Sequence, residues 1–204
     1  METEGFPHLE IQRKSGAEPF WSRGHPLPVT LLHFWQWAVS DLISNVTRGV
    51  LAEYIVSSAL GRADGIRAPW EAFDLLTSTG VRVEVKSAAY LQSWYHKALS
   101  RIIFTIRPTR AWTAETNAWA VDSQRQADVY VFCILAHQEK ASLDPLNLDQ
   151  WTFWVLPSTV LNERVAMQKT LSLSGLLKLY PVQATYDTLA STIEQVAHEA
   201  QRTT

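Results

Sequence analysis

The sequence has little cysteine, no long apolar run and no strong charge of one sign, and each shortage excludes a class of protein. A single cysteine among 204 residues excludes an internal disulfide, and this scarcity is typical of a reducing compartment. No uninterrupted apolar stretch approaches the roughly 18 residues of a membrane-spanning helix, and residues 1–4 lack the basic and apolar segments of a secretory signal. We therefore expect a cytoplasmic protein without a membrane partner.

The weak net charge of −2 hides an uneven distribution along the chain. Residues 45–125 carry ten basic and seven acidic side chains, whereas the segments on either side are both net acidic. A basic middle segment is compatible with a nucleic-acid partner even though the whole chain is slightly acidic. No HExxH motif, nucleotide-binding Gly-rich loop or Gly-x-Ser-x-Gly elbow occurs, so zinc-protease, ATPase and serine-hydrolase chemistry find no support.

The remaining composition, 47% hydrophobic with nine tryptophans, predicts one globular domain with a sizeable core. Residues 1–28 contain four prolines and no periodic pattern, which predicts an irregular N-terminal arm followed by a single domain over residues 29–204. Apolar spacing predicts a helix over 29–44, a second helix that Asn45 or Thr47 caps and that runs to Leu60, where Gly61 ends it, and a final helix over about 186–200. Short β-rich runs occupy 72–77, 81–89, 101–107, 128–136 and 151–156, and the run 128–136 is apolar on both faces, as in a central strand covered by helices. These elements predict an α/β fold.

Residues 73–86 carry the clearest functional pattern, a predicted hairpin with a three-residue loop at 78–80 whose Gly80 supplies a positive φ. This loop places Asp74 opposite Glu84, with Cβ atoms about 5 Å apart. Alternation puts Glu84 and Lys86 on that face and turns Val83 and Val85 into the core. Opposed carboxylates repel unless a cation lies between them.

Carboxylate oxygens suit Mg²⁺ or Mn²⁺, and a neighbouring ammonium could activate an attacking water or neutralise a phosphate. The chemistry indicated is phosphodiester hydrolysis. The alternative is a solvated hairpin in which Glu84 and Lys86 face water and Asp74 caps a turn.

Glu53 adds a third carboxylate, because its helical neighbours are mostly apolar and place it on a buried stripe. A buried carboxylate needs a partner, and either a metal site or an ion pair with an arginine such as Arg48 would provide one.

The series of Glu53 on a helix, Asp74, nine intervening residues and Glu84-Val85-Lys86 resembles the PD-(D/E)XK nuclease superfamily over about residues 45–136. The resemblance implies a restriction endonuclease-like central mixed β-sheet flanked by α-helices, with Asp74 and Glu84 binding Mg²⁺, for which Mn²⁺ could substitute. It further implies that Lys86 assists the water, that Glu53 is an additional metal ligand and that Gln92 is the glutamine found after the lysine in some members. One departure is that Pro69 stands five residues before Asp74 rather than directly before it.

Basic and aromatic residues downstream of this hairpin are candidates for DNA contact. Arg107, Arg110 and Arg125 are the favoured basic residues because they lie at the ends of predicted strands near the same sheet edge. The aromatic candidates are Trp94, Tyr95, Trp112 and Trp119. Aromatic side chains of this kind are more often core or rim residues, so both interpretations stay open.

Two functions follow from these observations. The first is a Mg²⁺-dependent DNA endonuclease, which the resemblance places in restriction or anti-phage defence, with a homodimer or a companion subunit contributing to target choice. The second is a catalytically idle nuclease-like module that binds nucleic acid or a protein partner, with tryptophans as interface anchors.

Overall fold

The computed structural model describes residues 9–67, 71–113 and 118–203, which fall into two compact units. The first unit comprises residues up to Ser40 together with Asp64–Arg67, and the second comprises Asp41–Ala63 and the chain from Ala68 onward. Pro69 lies outside the described residues. Within the described part of the chain, no helix has the length and apolar character needed to cross a membrane.

The first unit contains a β-hairpin and one helix. Its elements are β1 (Pro19–Ser22), β2 (His25–Thr30) and α1 (Leu31–Val39). The hairpin differs from the irregular arm predicted for residues 1–28. Prolines are tolerated in this hairpin because both of its strands are edge strands. At an edge, a residue without a backbone N–H costs the sheet few hydrogen bonds.

The second unit is built on a five-stranded sheet with the order β11–β9–β8–β4–β3. Its elements are α2 (Asn45–Ala59), β3 (Leu75–Leu76), β4 (Arg82–Ala89), β5 (Ile103–Thr105), β6 (Trp112–Thr113), β7 (Ala118–Trp119), β8 (Val129–Leu135), β9 (Trp151–Pro157), α3 (Ser158–Arg164), β10 (Thr170–Ser172), α4 (Leu173–Leu177), β11 (Val182–Ala184) and α5 (Tyr186–Thr203). Strands β4 and β8 are parallel and the other neighbours antiparallel. The predicted mixed sheet flanked by helices is confirmed.

Strand β8 lies at the centre of the sheet, and all seven of its residues are buried. Val129, Val131 and Cys133 pack with α2 and α5 on one face. Tyr130 and Phe132 pack on the other face in a second core that also contains residues of β5, β10, α3 and α4. The two-sided apolar pattern of residues 128–136 is therefore that of a covered central strand, as predicted.

The boundaries of α2 follow from local hydrogen bonds. Ser44 is the N-cap, and its Oγ accepts from the backbone N–H of Thr47 at 3.3 Å, so the cap lies just before the two predicted candidates. The preceding helix stops early because the Asp41 carboxylate accepts from the N–H groups of Ile43 and Ser44, each at 3.1 Å, which forms a turn. Gly61, with φ +66°, ends α2 as predicted.

Candidate active site at the edge of the sheet

The β3–β4 hairpin has the predicted register. Leu75 pairs with Val83 and Leu76 pairs with Arg82, and Gly80 adopts φ +89° in the connecting loop. Val83 and Val85 are buried in the core beside α2 and α5. Glu84 and Lys86 point to the opposite face, where their side chains are 20% and 25% exposed. The alternation predicted for β4 is therefore present, and the Glu84 and Lys86 side chains are partly shielded rather than fully solvated.

Asp74 lies where the register of β3 would continue opposite Glu84, but the strand stops at Leu75. Its backbone N–H still donates to Val83 O at 3.1 Å, and its carboxylate accepts a 2.7 Å hydrogen bond from the backbone N–H of Val85. This bond holds the carboxylate against β4 between the positions of Glu84 and Lys86. The side chain thus replaces a backbone acceptor at the end of the hairpin.

Asp74, Glu84 and Lys86 form one electrostatically interacting cluster. Burial and the neighbouring Glu84 carboxylate raise the pKa of Asp74 to about 7, against an ordinary value of 3.8, while the Val85 N–H and the Lys86 ammonium oppose the increase. The Lys86 ammonium donates a hydrogen bond to Glu84 Oε1. The Lys86 ammonium neutralises only one of the two carboxylates. When both are ionised, the cluster has a net negative charge, which would favour a further cation.

Glu53 acts on this cluster from α2. It is half-buried, and its negative charge is among the causes that raise the pKa of Asp74. Arg48, the alternative partner considered for it, is 4% exposed and donates to Ile43 O, Asn45 Oδ1 and Ser87 Oγ, at 2.8 to 3.2 Å. Those hydrogen bonds hold the start of α2 against β4.

The donor set fits a hydrated divalent cation better than an enclosed structural metal. Among the residues that the structure describes, no group of three or more His, Cys, Asp or Glu side chains is arranged to hold a metal ion. Mg²⁺ keeps several of its waters and commonly binds proteins through one or two carboxylates together with substrate phosphates. Asp74 and Glu84, with unfavourable repulsion between them, match that requirement.

Tyr130 is a site neighbour that the sequence pattern does not reveal. It pairs with Glu84 across the parallel β4–β8 ladder, and burial together with the Glu84 charge raises the pKa of its phenol. Tyr130 is only 4% exposed, so it is a buried residue next to Glu84. Only the pairing of strands 46 residues apart brings it there, so no local motif could have identified it.

Gln92 lies in the loop after β4 rather than beside Lys86 on the strand. Its Nε2 donates to Ala89 O at 3.3 Å and to Ser100 Oγ at 3.1 Å, which closes the loop. These contacts are structural, and none of them joins Gln92 to Asp74, Glu84 or Lys86. Its Oε1 is buried and has no hydrogen-bond partner among the residues that the structure describes, and a catalytic role for Gln92 stays a prediction.

Arg107 and Arg110 are exposed, but Arg125 is only 9% exposed and has a structural position. The Arg125 guanidinium donates to Ile106 O at 2.9 Å and to Asn162 Oδ1 at 2.8 Å, and burial lowers its pKa. This corrects the prediction that Arg125 contacts phosphate. A buried arginine that satisfies a carbonyl and a side-chain amide ties the chain before β8 to α3.

We expect Arg125→Met to lower the free energy of unfolding by about 2–3 kcal/mol, because it leaves the Ile106 carbonyl and the Asn162 amide without a charged donor. Arg107→Met removes an exposed arginine nearby and should change stability by less than about 0.5 kcal/mol. Urea unfolding of both variants measures the difference. Equal midpoints for the two variants would show that the Arg125 contacts are not stabilising.

The chain is therefore a mixed α/β protein in which the Asp74 carboxylate lies against the strand that carries Glu84 and Lys86, near the edge of the sheet. A family model described as bacteriophage T4 endonuclease IV matches residues 34–175, which include every residue of this cluster. The match covers more than half of the sequence, so the chain belongs to this endonuclease family. Among curated proteins, none matches the chain.

Proposed function

We propose that this protein is a Mg²⁺-dependent endonuclease that hydrolyses DNA phosphodiester bonds with a PD-(D/E)XK-type site. The observation that carries the proposal is the meeting of Asp74, Glu84 and Lys86 on one face of the β3–β4 hairpin. Membership in an endonuclease family independently supports the nuclease assignment. A solvated hairpin would not be expected to hold a half-buried carboxylate whose pKa is raised by a second carboxylate.

Asp74 and Glu84 are the residues that would hold the cation, and Glu53 would add charge or orient a coordinated water from α2. When bound, Mg²⁺ would polarise the scissile phosphate and balance the negative charge that develops on it. The Val85 N–H fixes Asp74 in position before substrate arrives. Such preorganisation lowers the cost of arranging charges during the reaction.

Lys86 would orient the attacking water and stabilise the charge that builds on the phosphate. The water oxygen forms a bond to phosphorus as the bond from phosphorus to the leaving oxygen breaks. The attacking water gives up a proton to solvent, and the leaving sugar oxygen takes a proton from solvent to become a hydroxyl. The ammonium already lies against Glu84, so both would face the same phosphate. A lysine in this position favours the hydroxide form of a nearby water.

The proposal is tested by loading the protein with metal and measuring cleavage and stability separately. Addition of Mg²⁺ or Mn²⁺ should raise the melting temperature of the wild-type protein but not of Glu84→Gln. Glu53→Gln should retain the metal response with weaker affinity, because it removes an outer charge and keeps the Asp74–Glu84 pair. Metal stabilisation that is unchanged in Glu84→Gln would contradict the ligand assignment.

A homodimer is the assembly that we propose for cutting both strands, and α1 is the surface that supports it. The helix contains no Asp, Glu, Lys or Arg, and none of its residues is buried. Its most exposed large apolar side chain is that of Trp37, at 85%. In a two-fold dimer a helix can meet its own copy, so an uncharged apolar helix avoids the repulsion that a charged one would suffer.

Trp37→Lys should weaken self-association at least about tenfold, because it removes an exposed aromatic anchor and introduces a charge that would meet its own copy. Light scattering across a concentration series measures this change. Tyr180→Lys, at an 89% exposed aromatic outside α1, is the matched control and should leave the mass unchanged. A wild-type protein that stays monomeric throughout the series would exclude the dimer.

A further inference from the structure

A two-stranded ribbon follows β5 and precedes β8 in the sequence, and it contributes no residue to the site described above. It is formed by β6 and β7, which pair Trp112 with Trp119, and it is extended by paired hydrogen bonds between Thr109 and Gln124 at 3.0 and 3.1 Å. We call its described residues, 109–113 and 118–124, the ribbon. Two-stranded ribbons of this width can enter a DNA groove.

The base of the ribbon is fixed close to the candidate active site. Arg125 follows the ribbon directly, and its hydrogen bonds to Ile106 and Asn162 hold both ends of the base against the second core. Five residues further on, Tyr130 pairs with Glu84. An extended chain of that length spans at most about 18 Å, so DNA in the site would lie within reach of the ribbon.

Electrostatic coupling supports the same placement. The charges of Glu84, Arg125 and Asp74 all act on the Tyr130 phenol. Tyr130, which pairs with Glu84, is therefore near both the carboxylate cluster and Arg125, the anchor of the ribbon. The ribbon and the cluster belong to one compact unit of the fold.

The ribbon presents a cation beside an exposed aromatic ring. Trp119 is 57% exposed, although its cross-strand partner Trp112 is half-buried. The Arg110 Nε donates to the carbonyl of Ala120, the residue after Trp119. Because an arginine has five N–H donors and this bond uses one, the guanidinium is held in place with capacity to bind an anion.

We propose that the ribbon is a DNA-contacting arm in which Arg110 binds a backbone phosphate and Trp119 packs against the sugar and base edge of the same strand. This inference rests on the proposed endonuclease function and extends it by assigning substrate binding to a second element. An arginine with an adjacent aromatic ring combines phosphate attraction with stacking, which is a common arrangement in nucleic-acid grooves. Arg125 is then a positioning residue that acts through the ribbon.

Binding is measured in the Lys86→Met protein with Mg²⁺, by fluorescence anisotropy of a labelled DNA oligonucleotide, so that cleavage does not interfere. Adding Trp119→Ala should weaken binding about 5- to 100-fold. Adding Arg110→Met should weaken it similarly and reduce the slope of log affinity against log salt by about 1. Trp119→Phe, which keeps an aromatic face, should restore most of the affinity.

The matched controls are Lys178→Met and Tyr180→Ala, an exposed cation and aromatic two residues apart outside the ribbon. Both should bind DNA within about twofold of the background protein, as expected for surface positions without a contact. Equal affinity of the ribbon variants and these controls would overturn the inference while leaving the endonuclease proposal intact. If wild-type protein binds DNA through the ribbon but cleaves none, the endonuclease proposal fails and the inference stands; absence of all DNA binding overturns the inference.

Discussion

Replacement of Lys86 by methionine should lower kcat for DNA cleavage by about 10²- to 10⁴-fold, the range expected when a positioned acid–base group is removed. Methionine keeps much of the length of the stem and removes the ammonium that contacts Glu84. Affinity for DNA should change little, because binding is assigned to other residues. A fall in kcat with an almost constant KM would identify an interaction made in the transition state.

The control for this substitution is Lys178→Met, which removes an exposed lysine far along the sequence. Its kcat should equal that of the wild-type protein. Circular dichroism of both variants establishes that each is folded. A Lys86→Met protein that cleaves at the wild-type rate would remove the lysine from the mechanism.

The second large effect concerns stability, because Asp74→Asn removes a carboxylate that the fold holds unfavourably. With the pKa raised to about 7 in the folded protein against 3.8 ordinarily, the folded state retains a proton that the unfolded state has lost. Stability is therefore lost as the pH rises from about 4 to 7, and the full cost is present above pH 7. Asparagine has no such cost and can still accept from Val85 N–H.

We expect Asp74→Asn to be about 2 kcal/mol more stable than the wild-type protein at pH 8 without divalent metal, and nearly equal to it at pH 4. For a chain of this size the difference corresponds to about 4–8 °C in Tm. Thermal melts across this pH range measure it, with the exposed Asp149→Asn as control. Mg²⁺ should reduce this difference in Tm, because it stabilises only the wild-type carboxylate. A difference in Tm that does not depend on pH would contradict a raised pKa of Asp74.

The hairpin could be predicted because all of its determinants are local. Gly80 sets the loop, and the alternation around Val83 and Val85 sets which face Glu84 and Lys86 occupy. The register confirms this interpretation at Leu75 and Leu76. The central position of β8 was likewise evident from its apolar character on both faces.

The features that sequence reasoning missed depend on contacts between distant segments. The proximity of Tyr130 to Glu84 arises from parallel pairing of β4 and β8. Burial of Arg125 arises from α3, whose Asn162 accepts from it. The β1–β2 hairpin lies in a segment predicted to be irregular, because prolines in two edge strands interrupt the alternating pattern of a sheet.

The proposed endonuclease function depends most directly on whether cleavage needs a divalent cation held by the carboxylate pair. Supercoiled plasmid and its heat-denatured form, incubated with the purified protein, should be cut with Mg²⁺ or Mn²⁺ and left intact with EDTA. Restoring excess Mg²⁺ should restore cutting by the wild-type protein but not by Glu84→Gln. Cleavage that persists in EDTA, or that Glu84→Gln performs at the wild-type rate, would contradict the assignment of Asp74 and Glu84 as the metal-binding pair.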